Sequence, residues 1–310
     1  MGNASRAAII GDRRITGVSA DVIAELVAEI GPLWHERHQA RLASRPRKRA
    51  VGAGAKYRLV FVDRLLATLV HLRHATTHDV LACWFGVDRS TITRAIGEVR
   101  PLLAERGCTV GPGVRLRTLA EVIDHLGASG ETGIIDGTEI RVRRPAAGRK
   151  DREAFISGKY KQNAVKTMVV TDADGRVLFC SPARPGSCAD ITHARQLGLV
   201  KLLADGPAVE ILADAGYQGL GAQTGERVIT PPHRKFKKNA PTGTRRCTSA
   251  SARRTPRGGI RVKHGIAHLK NWRALTRHLG RREHMSHTVQ AIAGLLSHQQ
   301  TADLTSARPM

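Results

Sequence analysis

The chain has 310 residues, 41% of them hydrophobic, which is enough for two domains and a sizeable core and excludes a wholly disordered protein. Its 50 Lys and Arg against 26 Asp and Glu leave a net charge of +24, a surface that repels itself unless it meets a polyanion, so nucleic acid is the expected partner. A membrane role is disfavoured by the lack of any run of about 18 apolar residues, amphipathic anchor or lipidation signal, and Met1 to Arg14 lacks the apolar core of a secretory signal.

In chain order, residues 19–44 carry helical spacing in Val22, Ile23, Leu26, Val27, Ile30 and Leu33, with Ser19 or Asp21 able to cap the start. A basic, glycine-bearing linker follows over 45–54. Tyr57 to His74 is again helical, with Leu59, Val62, Leu65, Leu66, Leu69 and Val70 on one broad face. Residues 77–96 then give a short helix, a turn at Gly86, a polar cap at Asp88 or Ser90 and a second helix, the signature of a helix-turn-helix. Ile92 and Ile96 would pack inward and leave Arg89, Ser90, Thr91, Thr93 and Arg94 for a DNA groove. An αα-hairpin without DNA contact is the plainer alternative.

Pro101 to Gly113 and Leu116 to Leu126 look like connecting helices. From about Gly130 the pattern turns to strands at 133–136, 164–171, 176–181, 211–214 and 227–230, with a hairpin turn at 172–175 and a helix from Asp190 through Leu197. Residues 233–260 are basic and unpatterned, as a long loop is. Two last helices are expected at 260–279 and 286–298. Three antiparallel strands followed by alternating helices and strands predict an α/β unit, a mixed five-stranded sheet flanked by helices, after an all-α region. The expected division is a helical region over 1–115, a catalytic domain over 116–300 and a tail over 301–310.

Two of these strands end in a carboxylate: Asp136 after Gly133-Ile134-Ile135, and Asp214 after Ile211-Leu212-Ala213. Burying an unpaired carboxylate costs several kcal/mol, so such residues are matched by a cation or placed at a strand mouth. Asp136-Gly137 alone could be a turn. Side by side, the two strands would offer hard oxygen ligands to Mg²⁺ or Mn²⁺, and a metal site in so basic a chain suggests phosphodiester chemistry. Five cysteines, Cys83, Cys108, Cys180, Cys188 and Cys247, are odd in number and widely spaced, which argues for a reducing, cytoplasmic setting. His264 and His268 stand four residues apart, but Gly265 follows His264 where a zinc protease motif needs Glu, so a solvated or DNA-facing pair is expected. From Ala215 onward eighteen Lys and Arg face three acids, Glu226, Glu283 and Asp303, which suggests that the C-terminal half tracks a DNA backbone.

The helix-turn-helix, the Asp136-Gly137-Thr138 strand end, the segment LADAGYQG at 212–219 and the segment HGIAHLKNWRAL at 264–275 together resemble insertion-sequence transposases of the DDE type, more narrowly the insertion-sequence-five group and its Harbinger-related superfamily. The resemblance covers roughly residues 20–300. It implies a ribonuclease-H-like catalytic fold, binding of double-stranded DNA at the element's terminal inverted repeats and at the target, a homodimer on DNA, and Mg²⁺-dependent cleavage and strand transfer. It makes Asp136 and Asp214 the first two acids and metal ligands. Asp190, at the end of Pro185-Gly186-Ser187-Cys188-Ala189-Asp190, becomes a supporting residue, and Ser157-Gly158-Lys159-Tyr160-Lys161 a phosphate-contacting loop through Lys159 and Lys161.

The third acid departs from the pattern. The family places Glu seven residues before a Lys, and here Lys263 stands in that position before Lys270. Seven residues are close to two helical turns, so both lysines share a face. A Lys cannot ligate Mg²⁺ and its charge opposes the ion. Glu226 and Glu283 are the only nearby replacements, Glu283 the better of the two. Catalysis is therefore expected to be impaired, with Lys270 and Arg273 left to grip phosphates. A non-catalytic DNA-binding protein derived from a transposase and a metal-dependent nuclease without strand transfer both remain open.

Overall fold

A computed structural model describes residues 3–44, 58–148, 150–231, 262–278 and 280–307. The linker at 45–54 and the basic loop at 233–260 lie outside the described residues. Two short helices, α1 (Asn3–Gly11) and α2 (Arg13–Thr16), precede the first expected one; neither is long enough to show a period in sequence. Helix α3 (Ala20–Ala43) starts where Ser19 caps it, its hydroxyl accepting from the Val22 N–H. Helix α4 (Phe61–His74) is nearly enclosed, with Leu65, Leu66, Leu69 and Leu72 fully buried.

Helices α5 (His78–Phe85) and α6 (Arg89–Glu105) form the expected pair. Gly86 closes α5 in the left-handed region, at φ 64°, where its N–H reaches the Ala82 and Cys83 carbonyls and a residue with a side chain would be strained. Asp88 occupies the cap position of α6, but its side chain makes no capping bond. Glu98 of α6 accepts from Trp34 Nε1 at 2.9 Å, Arg41 Nη2 at 2.7 Å and Arg64 Nη1 at 2.8 Å, which ties the helix to α3 and α4.

The segment at 101–113 corrects the sequence reading. Pro101 lies inside α6, and the chain then makes a two-stranded hairpin, β1 (Cys108–Gly111) and β2 (Val114–Leu116), where a helix was expected. Helix α7 (Leu119–Ser129) follows, with Thr118 and Glu121 in a reciprocal capping box.

The main sheet is built from β3 (Gly133–Val142), β4 (Ala164–Thr171), β5 (Val177–Cys180), β6 (Arg184–Pro185), β7 (Ile211–Ala213), β8 (Val228–Ile229) and β9 (Arg277–His278). Its path is β5-β4-β3-β7-β8, with β3, β4 and β5 antiparallel and β7 and β8 parallel to β3. This is the ribonuclease-H-like order. Among the described residues it has seven strands where five were expected, because β6 adds to β4 and β9 to β3; strands of two residues carry no readable alternation. Between β6 and β8 lie α8 (Asp190–Gln196), α9 (Leu199–Asp205) and α10 (Leu220–Gln223).

The helix expected over 260–279 is shorter. As α11 it spans 262–270, after which the buried Trp272 turns the chain inward, a 3₁₀ turn covers Arg273–Leu275, and β9 begins. Thr276 caps the helix by donating its hydroxyl to the Lys270 carbonyl at 3.1 Å. The last helix, α12 (Met285–Ser306), runs well past His298.

One core joins the helical region to the sheet. Leu26, Leu69, Ile92 and Val99 pack in the same cluster as Ile140, Val165, Val169 and, from α12, Val289 and Ile292. On the other face, Ile135, Met168, Val170 and Ile211 pack under α7, α8 and α9. A third, small cluster of Ile134, Leu212 and Val262 seats α11 beside the tips of β3 and β7. Cys83, Cys108, Cys180 and Cys188 are free thiols, and among the described residues no helix is long and apolar enough to cross a membrane.

Candidate active site

Strands β3 and β7 run parallel in register, with Ile134 opposite Leu212 and Ile135 opposite Ala213. One step further along both strands stand Asp136 and Asp214. Each carboxylate closes a tight local turn, Asp136 Oδ1 accepting from the Gly137 N–H at 2.7 Å and Asp214 Oδ1 from the Gly216 N–H at 2.8 Å. Asp136 is half-buried, whereas Asp214 is exposed at the strand end. The carboxyl group of Asp136 is pushed up to about 6, first by burial and then by the negative charges of Asp214 and Asp190, against the Gly137 hydrogen bond and the charge of Lys263.

Asp190, the first residue of α8, comes between the two tips. A methyl group placed on Gly137 would lie 2.3 Å from Asp190 Oδ1, and one on Gly216 would lie 2.9 Å from Asp190 Oδ2 and 3.0 Å from Asp214 Oδ1. Both glycines are therefore required for the approach of the third carboxylate. Beneath them the Tyr217 hydroxyl is buried and its pKa is driven well up, by burial and then by the charges of Asp190, Asp136 and Asp214. Lys166 of β4 holds Asp190 at 3.1 Å and lies 3.8 Å from Glu139 of β3.

The lysine at the departing position is exposed, and its charge is the weakest of the influences named on Asp136. Val262 anchors α11 against Ile134 and Leu212, and the Lys263 ammonium lowers the pKa of Asp136. Lys270 does not join it: it lines a separate cleft with Arg73 and Arg273. Neither replacement acid does either. Glu283 sits in the 3₁₀ turn Arg282–His284 and lines a small cavity with Phe155, Arg184 and Ser286, and Glu226 precedes the edge strand β8. The third-acid role considered for Glu283 and Glu226 is thus not supported by their placement.

The loop before β4 is fixed by Ser157, whose buried hydroxyl accepts from the Lys159 and Tyr160 N–H groups at 3.2 and 3.1 Å. Lys159 packs over the Tyr160 ring at 5.2 Å, and its pKa is raised by Tyr160 first and more weakly by the charges of Asp136 and Glu139; Lys159 and Lys161 are both exposed. On α6, Arg89, Ser90, Thr93 and Arg94 are exposed and Ile92 and Ile96 are buried as expected. Thr91 is half-buried, and Arg89 pairs with Asp79 at 3.4 Å. His264 and His268 are both exposed.

Sequence reasoning missed Glu139, Lys166 and Tyr217. Lys166 had a usable signal: it interrupts the apolar run Ala164–Thr171, every residue of which is buried, and a buried ammonium needs an acid beside it.

Among the described residues no three acidic, histidine or cysteine side chains are grouped closely enough to hold a metal ion by themselves. The donor chemistry nonetheless fits a hard divalent cation. Asp136 and Asp214 offer only carboxylate oxygens, on neighbouring strand ends, and burial followed by the charges of Asp214 and Asp190 penalises the Asp136 charge in a way that a cation would offset.

A helix-turn-helix packed onto a ribonuclease-H-like sheet with acids at two adjacent strand ends defines a DNA-processing protein of the DDE type. The profile of the DDE superfamily endonuclease matches residues 135–297, and that of the helix-turn-helix of DDE superfamily endonuclease matches residues 57–109. The first match spans more than half of the chain, which belongs to the DDE superfamily endonucleases. No curated protein matches the sequence. A solved structure, the Mos1 strand transfer complex, aligns with 88% of this chain and 86% of that one at 14% identity, with a TM-score of 0.20, too low a similarity to bear on the fold.

Proposed function

We propose that the chain is an insertion-sequence transposase of the insertion-sequence-five group whose cleavage and strand-transfer activity is impaired at the third acid. The supporting observation is the pairing of Ile135 with Ala213, which sets Asp136 and Asp214 on neighbouring strand ends with the charge of Lys263 felt at Asp136. Exposed Arg89, Ser90, Thr93 and Arg94 on α6 would read the terminal inverted repeats in the major groove. Cleavage at two ends implies a dimer on DNA.

Asp136 and Asp214 would hold Mg²⁺ or Mn²⁺. When bound, the ion supplies positive charge to a phosphodiester under attack and to the oxygen that leaves. The rest falls to the chain itself. Asp190, fixed by Lys166, completes the negative rim, and Lys159 and Lys161 face the phosphates. Lys263 supplies an ammonium where a carboxylate would complete the ligand set. It offsets part of the Asp136 charge and so competes with the cation.

The test uses purified protein, Mn²⁺ and duplex DNA carrying the element ends. Slow or undetectable strand cleavage is expected, and Lys263→Glu should raise it at least tenfold. Efficient cleavage by the unaltered chain, or no gain in the variant, would refute the reading. A second reading, a DNA-binding protein derived from a transposase, is favoured by Lys263 itself. Calorimetry with Mg²⁺ in the presence and absence of DNA separates the two, because the binder takes up no metal in either state.

A further inference from the structure

Towards the C-terminal end of α6 the fold encloses a charge that the chain leaves unmatched. Arg100 is 6% exposed, and its Nε–H is buried without an acceptor. The other buried arginines, Arg64 and Arg106, pair with Glu98 and Glu29 at 2.8 Å each, whereas no carboxylate lies within ion-pair distance of Arg100 among the described residues. Burial alone lowers its pKa, with no acid's charge working against it. All 26 Asp and Glu of the chain fall among the described residues, so no other acidic side chain can supply the partner.

The groups that feel this charge are basic. After burial, Arg100 lowers the pKa of His71 on α4, His78 on α5, His278 on β9 and His284 in the 3₁₀ turn before α12. The His71 and His78 rings meet edge to face, their centres 5.0 Å apart. Three of these rings spend an N–H on the chain. His71 Nδ1 lies 2.9 Å from the Thr76 carbonyl and His278 Nε2 3.2 Å from that of Arg281. His78 Nδ1 lies 2.9 Å from the Thr93 hydroxyl, which itself donates to the Arg89 carbonyl. Neutral histidines cannot offset a positive charge, and a guanidinium does not shed its proton in a protein. A charge taken out of water is costly unless an opposite charge meets it. In a chain at +24, with every acid placed elsewhere, the match has to come from solution.

We propose that Arg100 holds a small inorganic anion, of the chemistry of chloride or phosphate, where α6 packs against α4 and α5. The anion is a structural ligand. It supplies the negative charge that Glu98 and Glu29 supply to the other two buried arginines, and the packing of α6 then depends on the ions in solution. The inference is independent of the proposed cleavage chemistry and of any contact with DNA.

The test is thermal unfolding of the full chain near neutral pH in sodium gluconate, with chloride or phosphate substituted stepwise at constant ionic strength so that general screening stays fixed. A ligand of the folded state raises Tm with its concentration, so the unaltered chain should gain stability until the site fills, and the anion that acts at the lower concentration is the better ligand. Arg100→Met, which keeps an apolar stem of similar length, should lose most of that gain and be no less stable than the unaltered chain in gluconate alone. Arg117→Gln removes an exposed charge elsewhere and should keep the gain in full. In crystals of the unaltered protein soaked with bromide or tungstate, heavy stand-ins for the two anions, an anomalous peak should lie within hydrogen-bond reach of the Arg100 guanidinium. No gain in the unaltered chain, an equal gain in Arg100→Met, an equal loss in Arg117→Gln, or anomalous peaks only elsewhere would overturn the proposal. Where Arg100→Met does not fold, the position of the heavy anion decides alone.

Discussion

Replacing Asp136 with Asn should stabilise the metal-free protein. Asn keeps the oxygen that accepts from the Gly137 N–H and removes the charge that burial first, and then Asp214 and Asp190, oppose. The rise from 3.8 to about 6, at about 1.4 kcal/mol per pH unit, sets a ceiling of about 3 kcal/mol, and partial exposure of the group brings the expected gain nearer 2 kcal/mol. The sign follows from proton binding. Between about pH 4 and 6 the folded wild type holds its proton more tightly than the unfolded chain does, so its stability falls as pH rises through that window. Asn has no such loss. Urea unfolding in the presence of a chelator, repeated across pH, should show the variant ahead by about 2 kcal/mol above about pH 7 and level with wild type below about pH 4. Saturating Mg²⁺ should narrow the gap, because only the wild type retains both carboxylates to gain from binding. Equal stability near pH 8, or a gap that persists undiminished near pH 3, would refute the penalty that burial and the neighbouring acids place on the Asp136 charge.

Gly137→Ala should displace Asp190 and cost about 1–3 kcal/mol, measured by the same unfolding series, since the new methyl group would lie 2.3 Å from Asp190 Oδ1. Glu98→Ala should cost about 3 kcal/mol, because it removes the one carboxylate that accepts from Trp34 Nε1, Arg41 Nη2 and the buried Arg64 Nη1 together; a change within the error of chemical denaturation would show that the three bonds are not formed together. Acid should unfold the protein through two histidines. Burial, with Arg184 and Lys166 next for His193, holds both His71 and His193 at about 4. Both stay neutral in the fold, so their contribution to stability is full above about pH 6.5 and is lost as pH falls towards 4, two protons set against the one that Asp136 binds more tightly in the same window; replacing His193 with Asn should remove one of the two.

What the sequence disclosed depended on how local the cause was. The turn at Gly86 and the apolar spacing of Ile92 and Ile96 lie within a few residues of one another, so α5 and α6 were legible. Asp136 and Asp214 were legible as strand ends because three apolar residues run into each. That they are neighbours follows from the register of β3 on β7, which sequence supplies only through the family resemblance. The hairpin at Cys108–Leu116 was hidden because four residues alternate too briefly to outweigh the helix running into it. Likewise α11 stops at 270 through a tertiary cause, the burial of Trp272 against Gly17, while its apolar spacing runs on. The bond between Lys166 and Asp190 joins two elements more than twenty residues apart, and no spacing announces it.

Helix α12 packs against α6, and both contribute to the cluster that lines one face of the catalytic sheet. Reader and cutter are thereby bolted to a single chassis instead of hanging on a tether. If the proposed function holds, such a protein would measure: the number of base pairs from a recognised sequence to a cut would be written into its shape and could be altered only by rebuilding the joint.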